Sequence, residues 1–195
     1  HQCLEDIALM RSIPGMVIVN PADAVEARAA VKAALEYNGP MYLRFGRLAV
    51  PVFNDPATYK FELGKGIQMT EGKDVTIVAN GYMVHLAVEA AEMLAGEGID
   101  AGVINIHTIK PLDEEIILDA AKNTGAIVVA EEHSVIGGLG SAVCELLADK
   151  MPTPVKKVGV EDEFGTSGPA LDLLEMFGLG SKDIVKKAKE VISRK

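Results

Sequence analysis

One stretch, residues 74–98, carries the clearest pattern of hydrophobic and polar positions in the chain. Residues 74–79 form a short, β-branched and almost continuously apolar run, which is typical of a parallel strand covered on both faces. Asn80 and Gly81 interrupt this run. Apolar residues then recur at helical spacing until the glycines at 96 and 98: Met83, Leu86, Ala87, Ala90, Ala91 and Leu94. The pattern predicts a buried strand, a turn, and a helix with one apolar stripe against a sheet.

The alternation of strand and helix continues to the end of the chain. Further buried strands are predicted over residues 101–106, 126–130 and 155–160. A helix is predicted after each of them; the first is opened by Pro111 with acidic residues at its positive end, and the chain closes on a helix over residues 182–193. Strands joined by crossovers of this length predict an α/β fold with a mainly parallel sheet.

The first 45 residues predict a smaller unit of the same kind. Its elements are, in order, a helix over 4–10, a strand over 16–19, a helix over 21–37 and a strand over 41–45. The longer helix would begin after Asn20 as N-cap. Its inner face would consist of Val25, Ala29, either Val31 or the apolar stem of Lys32, and Leu35. Two strands are too few for a stable open sheet, so we expect further sequence upstream.

Between these units, residues 46–72 lose the periodic pattern. Proline, glycine and the Asn54-Asp55-Pro56 turn signal break the segment repeatedly. The sequence therefore predicts three parts: a first unit over 1–50, a linker over 51–72 and a second domain over 73–195.

Composition narrows the possible functions. A formal charge of −9 without a basic stripe argues against nucleic-acid binding. Two cysteines are too few for a disulfide framework, which favours a reduced, cytoplasmic setting. No apolar run is long enough to predict a membrane span. Because the sequence opens on His1 and not on Met, we expect a piece or a processed form of something longer.

Two places carry candidate chemistry. Arg44 and Arg47 flank the end of a predicted strand, where a guanidinium can hold a phosphate through two hydrogen bonds or form a surface salt bridge. Glu131-Glu132-His133 closes another strand, where it could tune a proton-transfer group or, more often, close an interface. Sites of parallel sheets lie beyond the carboxyl ends of the strands, which points to the loops at Asn80, His107 and Glu131.

Other patterns predict packing and not binding. Gly138-Leu139-Gly140 starts like a dinucleotide fingerprint but lacks the third glycine, so close helix packing is the better interpretation. His85, His107 and His133 are widely spaced and accompany no cysteine pair, so no metal site is predicted.

Taken together, these residues resemble the C-terminal half of transketolase, a thiamine-diphosphate enzyme. The resemblance covers nearly the whole chain and rests on several motifs in the family's order. They are His1-Gln2 with the following acidic residues, Pro21-Ala22-Asp23, Gly39-Pro40 with Arg47, Thr108 to Asp113, Glu131-Glu132-His133, Gly137 to Val143 and Phe164 to Gly168.

The resemblance implies a fold and a set of roles. Residues 1–50 would be the end of a pyrimidine-binding α/β unit, and 73–195 a three-layer, mainly parallel transketolase C-terminal domain. His1 matches a histidine near the thiazolium centre, and Arg47 matches the arginine that holds the sugar phosphate. Phe-Gly-Arg-Leu replaces the Leu-Ser-Arg-Gln of many transketolases, and the extra Arg44 is similar to deoxyxylulose-phosphate synthase. The catalytic glutamate and the diphosphate domain would lie upstream of His1.

The function that the resemblance implies is transfer of a two-carbon ketol unit between phosphorylated sugars, with thiamine diphosphate and Mg in the complete enzyme. This chain alone would bind no cofactor, contain no identifiable cofactor-binding residue and be inactive without an N-terminal segment or subunit; a homodimer is expected. The alternatives are part of a deoxyxylulose-phosphate synthase, a 2-oxo-acid dehydrogenase β subunit, or a non-catalytic assembly module.

Overall fold

The structure is a computed structural model that describes residues 3–195, so the candidate His1 lies outside the described residues. The helices are α1 (Asp6–Arg11), α2 (Ala24–Glu36), α3 (Met83–Gly96), α4 (Glu114–Thr124), α5 (Leu139–Lys150), α6 (Ala170–Met176) and α7 (Ser181–Ile192). The strands are β1 (Val17–Val19), β2 (Met41–Leu43), β3 (Ile67–Thr70), β4 (Val75–Ala79), β5 (Ala101–Asn105), β6 (Thr108–Lys110), β7 (Ile127–Ser134) and β8 (Val155–Val160).

The second unit is a three-layer sandwich built on a five-stranded sheet. The strand order is β3-β5-β4-β7-β8, and β5, β4, β7 and β8 are parallel. The side chains of β4 alternate between two cores, so that Ile77 packs with α3 and α7 while Val78 packs with α4 and α5. Every residue of β4 is buried, as the continuous apolar run predicts. The predicted α/β fold class is confirmed.

The first unit shares its sheet with the second. Strands β1 and β2 pair in parallel, and β6, which follows the second unit's β5, adds to β1 in the antiparallel sense. Sequence reasoning did not predict β6, because three residues next to Pro111 carry too short a pattern to identify a strand. Ile18 of β1 packs in the same core as Ile104 of β5, so the two units are packed as one body.

Two predictions about α2 are wrong. Its N-cap is Asp23 and not Asn20: one carboxylate oxygen of Asp23 accepts hydrogen bonds from the N–H groups of Val25 and Glu26. Its buried positions are Glu26 and Ala30, while Leu35 of the predicted inner face is 83% exposed. The apolar spacing predicted the wrong inner face, because the inward side of this helix makes polar contacts through its carboxylates.

These polar contacts order the predicted linker. The second carboxylate oxygen of Asp23 accepts hydrogen bonds from the N–H groups of Phe53 and Asn54. The buried carboxylate of Glu26 accepts hydrogen bonds from the Tyr59 hydroxyl and from Asn105 on β5. Burial of Glu26 raises its pKa. The α2 carboxylates thus join the first unit, the linker and the second unit.

The end of the predicted linker needs a correction. Residues 67–70 form β3, an edge strand antiparallel to β5. Its short length and the glycines at 64, 66 and 72 hid its alternating pattern in the sequence. The division into 1–50, 51–72 and 73–195 otherwise remains a prediction. Among residues 3–195, none of the helices has the length and apolar character needed to cross a membrane.

Candidate functional site

A cleft of about 670 Å³ opens where the first unit meets β7 of the second. We call it the arginine cleft, because both candidate arginines line it. Its lining residues are Cys3, Leu4, Asp6, Tyr42, Leu43, Arg44, Phe45, Gly46, Arg47 and Glu132. The structure thus brings Arg44, Arg47 and one member of the Glu131-Glu132-His133 motif to one place.

Arg44 is engaged by its neighbours within the arginine cleft. Its Nε donates a hydrogen bond to Asp6 Oδ2 at 3.0 Å, and its Nη2 donates to the backbone oxygen of Glu132 at 2.8 Å. Its Nη1 lies 3.4 Å from Glu132 Oε2. The Tyr42 hydroxyl also donates to Asp6 Oδ2. Arg44 therefore joins α1, β2 and β7 through hydrogen bonds from all three of its guanidinium nitrogens.

Sequence reasoning missed Asp6 and Tyr42 as parts of this site. Asp6 lies in the first turn of α1, where an acidic residue is common for helix electrostatics alone. Its partners are 36 and 38 positions away in the chain, so no local spacing could have connected them. Burial and the contact with Asp6 raise the pKa of Tyr42 to about 12, which keeps its hydroxyl a donor at neutral pH.

Arg47 is in a different situation from Arg44. It is exposed, and within residues 3–195 its guanidinium makes neither a hydrogen bond nor an ion pair. A guanidinium that is free of carboxylate partners and faces a cleft can take a phosphate or similar anion in a bidentate geometry. Of the two candidate arginines, Arg47 is the one available to a ligand.

The three residues of the Glu131-Glu132-His133 motif lie inside β7 and not after its end. Their side chains therefore point to different faces of the sheet. Side chains alternate along a strand, so only Glu132 faces the arginine cleft. Burial raises the pKa of Glu132, an effect that the nearby Arg44 opposes. Glu131 and His133 are buried, at 1% and 0% exposure.

Glu131 and His133 make structural contacts. The Glu131 carboxylate accepts hydrogen bonds from the N–H groups of Leu139 and Gly140, at 2.7 and 2.8 Å. It therefore caps the N-terminus of α5. His133 Nδ1 donates to the backbone oxygen of Ser134, and its Nε2 accepts from the Ala8 N–H of α1. Through these contacts β7 is joined to α5 and α1.

The same contacts explain the glycine motif. A Cβ at Gly138 would lie 2.1 Å from Glu131 Oε2, and one at Gly140 would lie 3.2 Å from Glu131 Oε1. The glycines therefore let a buried carboxylate reach the helix terminus that a dinucleotide phosphate would otherwise use. This is the close packing that the sequence predicts.

Of the three expected positions at Asn80, His107 and Glu131, only the third adjoins the cleft, which Glu132 lines. Asn80 and His107 are buried, because the first unit covers the carboxyl ends of β4 and β5. The Asn20 N–H donates to the His107 backbone oxygen, and the Gly81 N–H donates to the Asn20 backbone oxygen. The prediction treated the second unit as if this edge of its sheet were open.

Residues 3–195 do not by themselves fit a metal-bound diphosphate. Within this range no three His, Cys, Asp or Glu side chains come together as a metal-binding group. The two carboxylates of the arginine cleft, those of Asp6 and Glu132, are both paired with Arg44, and the exposed Arg47 can take an anionic substrate group.

Fold and cleft together define a class: a two-unit α/β protein whose second unit is a three-layer, mainly parallel sheet, with an arginine-lined cleft at the junction. Residues 1–52 match the family described as Transketolase, pyrimidine binding domain. Residues 64–184 match Transketolase, C-terminal domain. The chain belongs to the transketolase family, as its motifs predict.

Similar proteins include subunits of divided enzymes. The chain is 50% identical to the 6-deoxy-6-sulfo-D-fructose transketolase subunit SqwH of a Clostridium species, over 100% of the chain and 60% of that protein. It is 41% identical to an apulose-4-phosphate transketolase subunit of Phocaeicola vulgatus, over 100% of the chain and 62% of that protein. It is also 41% identical to the 1-deoxy-D-xylulose-5-phosphate synthase of Heliobacterium modesticaldum, over 98% of the chain and 30% of that protein.

A solved structure is similar over nearly the whole chain. It is described as a split gene transketolase, inactive beta4 tetramer, and the two share 51% identity with a TM-score of 0.95. The match covers 98% of this chain and 62% of that one. The chain thus spans about 60% of the length of its first curated relative.

Proposed function

We propose that this chain supplies the end of the pyrimidine-binding domain and the C-terminal domain of a thiamine diphosphate-dependent transketolase. The complete enzyme transfers a two-carbon ketol unit between anionic sugars, and its N-terminal portion holds the diphosphate, Mg and the catalytic glutamate. The cofactor would supply the carbanion chemistry, and this chain would bind and orient the sugar. The similar subunits of divided transketolases support this role.

The observation that carries the proposal is the position of Arg47. It lies in the arginine cleft at the junction of the two units, and it is free of the carboxylates that hold Arg44. A sugar whose anionic end lies on Arg47 would be held at the junction of the two units. His1 remains a proposed contact near the reaction centre.

The proposal is tested by reconstitution. Xylulose 5-phosphate and ribose 5-phosphate are supplied with thiamine diphosphate and Mg, first to this chain and then to this chain combined with the N-terminal transketolase portion. We expect turnover only from the combination. Turnover by the 195 residues alone would contradict the proposal, and so would a combined enzyme that accepts no ketose donor.

A second candidate function is part of a deoxyxylulose-phosphate synthase. The 41% identity to such a synthase and the presence of Arg44 favour it. Pyruvate as donor separates the two candidates, because the synthase reaction consumes pyruvate whereas ketol transfer needs a ketose. We expect the assembled enzyme to use the ketose.

We also propose assembly through α2 and a reduced, cytoplasmic setting. Leu35, Val31 and the neighbouring Phe45 are exposed at 83%, 42% and 53%, an apolar area suited to a subunit contact in a homodimer of complete enzymes. Cys3 and Cys144 are free thiols, which supports the reduced setting.

A further inference from the structure

The helix α1 is too short to be stable through its own hydrogen bonds. It has six residues, whereas an isolated helix of fewer than about 12 residues is marginal in water. Within residues 3–195, the side chain of its N-cap residue Glu5 accepts none of the helix N–H groups. Contacts with other parts of the protein must therefore hold α1 in place.

The second unit caps the start of α1. The Nε2 atom of His133 accepts a hydrogen bond from the Ala8 N–H at 3.3 Å, as an N-cap side chain would. Nε2 can accept because the ring carries its proton on Nδ1, which donates to the Ser134 backbone oxygen at 2.7 Å. The Ser134 N–H donates to the backbone oxygen of Leu4 at 2.8 Å. The carboxyl end of β7 thus fixes both the helix start and the segment that leads into it.

The turn after β7 and the strand β6 hold the other end of α1. Nη1 of Arg11 donates a hydrogen bond to the Gly137 backbone oxygen at 2.7 Å. Nζ of Lys110 donates to the backbone oxygens of Arg11 and Ile13, at 2.8 and 2.7 Å, and so satisfies carbonyls that a helix end leaves without partners. The fit is close, because a Cβ at Gly137 would lie 2.6 Å from the Cβ of Ala8.

The residues that α1 positions form part of the wall of the arginine cleft. Leu4 and Asp6 line the cleft, and the Asp6 carboxylate pairs with Arg44. Ile7 anchors the helix in a core that contains residues of both units. Since Leu4 and Asp6 belong to α1 or to the segment just before it, the shape of the cleft depends on how α1 lies against the second unit.

We propose that His133 and Gly137 are positioning residues for donor binding: they dock α1 against the second unit, and only the docked helix completes the wall of the arginine cleft. The inference rests on the proposed function, because it gives the second unit a part in binding the sugar through α1. Chains with α1 undocked would bind the donor poorly, and a saturating donor would shift them to the docked state. Loss of docking should therefore raise KM and leave kcat almost unchanged, whereas a loss of folded enzyme would lower kcat at constant KM.

The first experiment compares two glycine variants of the assembled enzyme. Gly137→Ala places a methyl group against Ala8. Gly98→Ala is the matched control: its φ is +80° against +78° for Gly137, and none of the described residues has a heavy atom within 4 Å of the added Cβ. Both variants should lose similar stability in urea, because the same backbone conformation is strained by a side chain.

The two variants should differ in their kinetics. With xylulose 5-phosphate as the donor, we expect KM to rise about tenfold for Gly137→Ala while kcat stays within about twofold of wild type. Gly98→Ala should change neither constant. An unchanged KM for Gly137→Ala would overturn the proposal, and so would equal effects of the two variants or a loss that falls on kcat alone.

His133 gives a second test that leaves the backbone unaltered. Glutamine can place its amide oxygen near the position of Nε2 and accept the Ala8 N–H. Asparagine can donate to the Ser134 oxygen as Nδ1 does, but it is too short to reach Ala8. We therefore expect a higher KM for His133→Asn and a KM closer to wild type for His133→Gln. An increase for His133→Gln that equals or exceeds that for His133→Asn would contradict the assignment.

Amide hydrogen exchange of this chain measures docking without turnover. We expect the peptide covering residues 4–12 to exchange about tenfold faster in Gly137→Ala and His133→Asn than in wild type and Gly98→Ala, while α4 keeps its protection. Equal exchange of this peptide in wild type and Gly137→Ala would overturn the docking of α1 by these residues. An assembled enzyme without activity on any donor would contradict the proposed function alone, and the exchange measurement would still decide the docking.

Discussion

Arg44 and Arg47 are three positions apart in the sequence, but they differ in their contacts with neighbouring side chains. Asp6 and Glu132 hold Arg44, whose side chain is only 11% exposed. Arg47 lies past the end of β2 and faces solvent. A guanidinium that is already paired and hydrogen-bonded stabilises the structure, whereas a free one is ready to bind an anion. At the scale of single residues, Arg47 is therefore the arginine that we propose for substrate binding.

Replacing Arg47 by Ala in the assembled enzyme should lower kcat/KM for phosphorylated donors by roughly 30- to 150-fold, because a charge-assisted contact is worth about 2–3 kcal/mol. The loss should appear in steady-state kinetics while the stability of the chain stays within about 0.5 kcal/mol, since the side chain makes no polar contacts within the described residues.

Arg194→Ala provides the control for this prediction, because Arg194 is an exposed arginine at the far end of the sequence. It should leave kcat/KM unchanged. If Arg47→Ala also left the kinetics unchanged, the alternative of a non-catalytic assembly module would be the better account of this chain.

At the scale of an element, α5 depends on a buried carboxylate for its start. No side chain of the N-cap residue Gly138 is available, and Glu131 from the preceding strand accepts the N–H groups instead. Burial raises the pKa of Glu131, and the two N–H donors oppose that rise. The contact between β7 and α5 therefore leaves no room for a side-chain atom at position 138.

Gly138→Ala should destabilise the chain by about 3 kcal/mol, because the new Cβ would displace the Glu131 carboxylate from its hydrogen bonds. Urea unfolding measures the change. Gly96→Ala is the matched control: it lies at the end of α3 with no heavy atom within 4 Å of the added Cβ, so it should be neutral or stabilising by up to about 1 kcal/mol. Equal losses in both variants would contradict this account of the glycine motif.

At the scale of the whole molecule, the two units are joined at His107. Its backbone oxygen accepts the Asn20 N–H of the first unit, and its ring stacks on Phe61 of the linker with centroids 4.4 Å apart. Its Nδ1 lies 2.9 Å from the Thr108 hydroxyl oxygen. Burial lowers the pKa of His107 to about 4, so the ring is neutral at the junction.

Acid should therefore weaken the junction. Between the ordinary histidine pKa of 6.5 and the folded value of about 4, the unfolded chain takes up a proton that the folded chain does not. Stability is then lost as the pH falls through this window, by about 2 kcal/mol between about pH 7 and pH 4.5.

The measurement is urea unfolding at several pH values, for wild type and His107→Asn. The variant has no group that titrates at this position, so its free energy of unfolding should fall less steeply with acidification. Parallel curves for the two proteins would contradict the assignment.

Local patterns predicted the second unit well. The strands β4, β5 and β8 and the helix α3 lie where the periodicity places them, because a strand or helix covered by its neighbours must be apolar at a fixed spacing. The helix predicted over residues 182–193 corresponds to α7 (Ser181–Ile192). The motifs were also sufficient to indicate the transketolase family.

The sequence by itself determined the fold class, the family and the presence of two candidate arginines near a strand end, since each of these depends on residues close together in the chain. Only the tertiary structure decided which arginine is free, which member of Glu131-Glu132-His133 faces the cleft, and that the first unit covers the loops at Asn80 and His107. The physical reason is that pairing and burial depend on partners far apart in sequence: Arg44 and Glu132 are 88 positions apart.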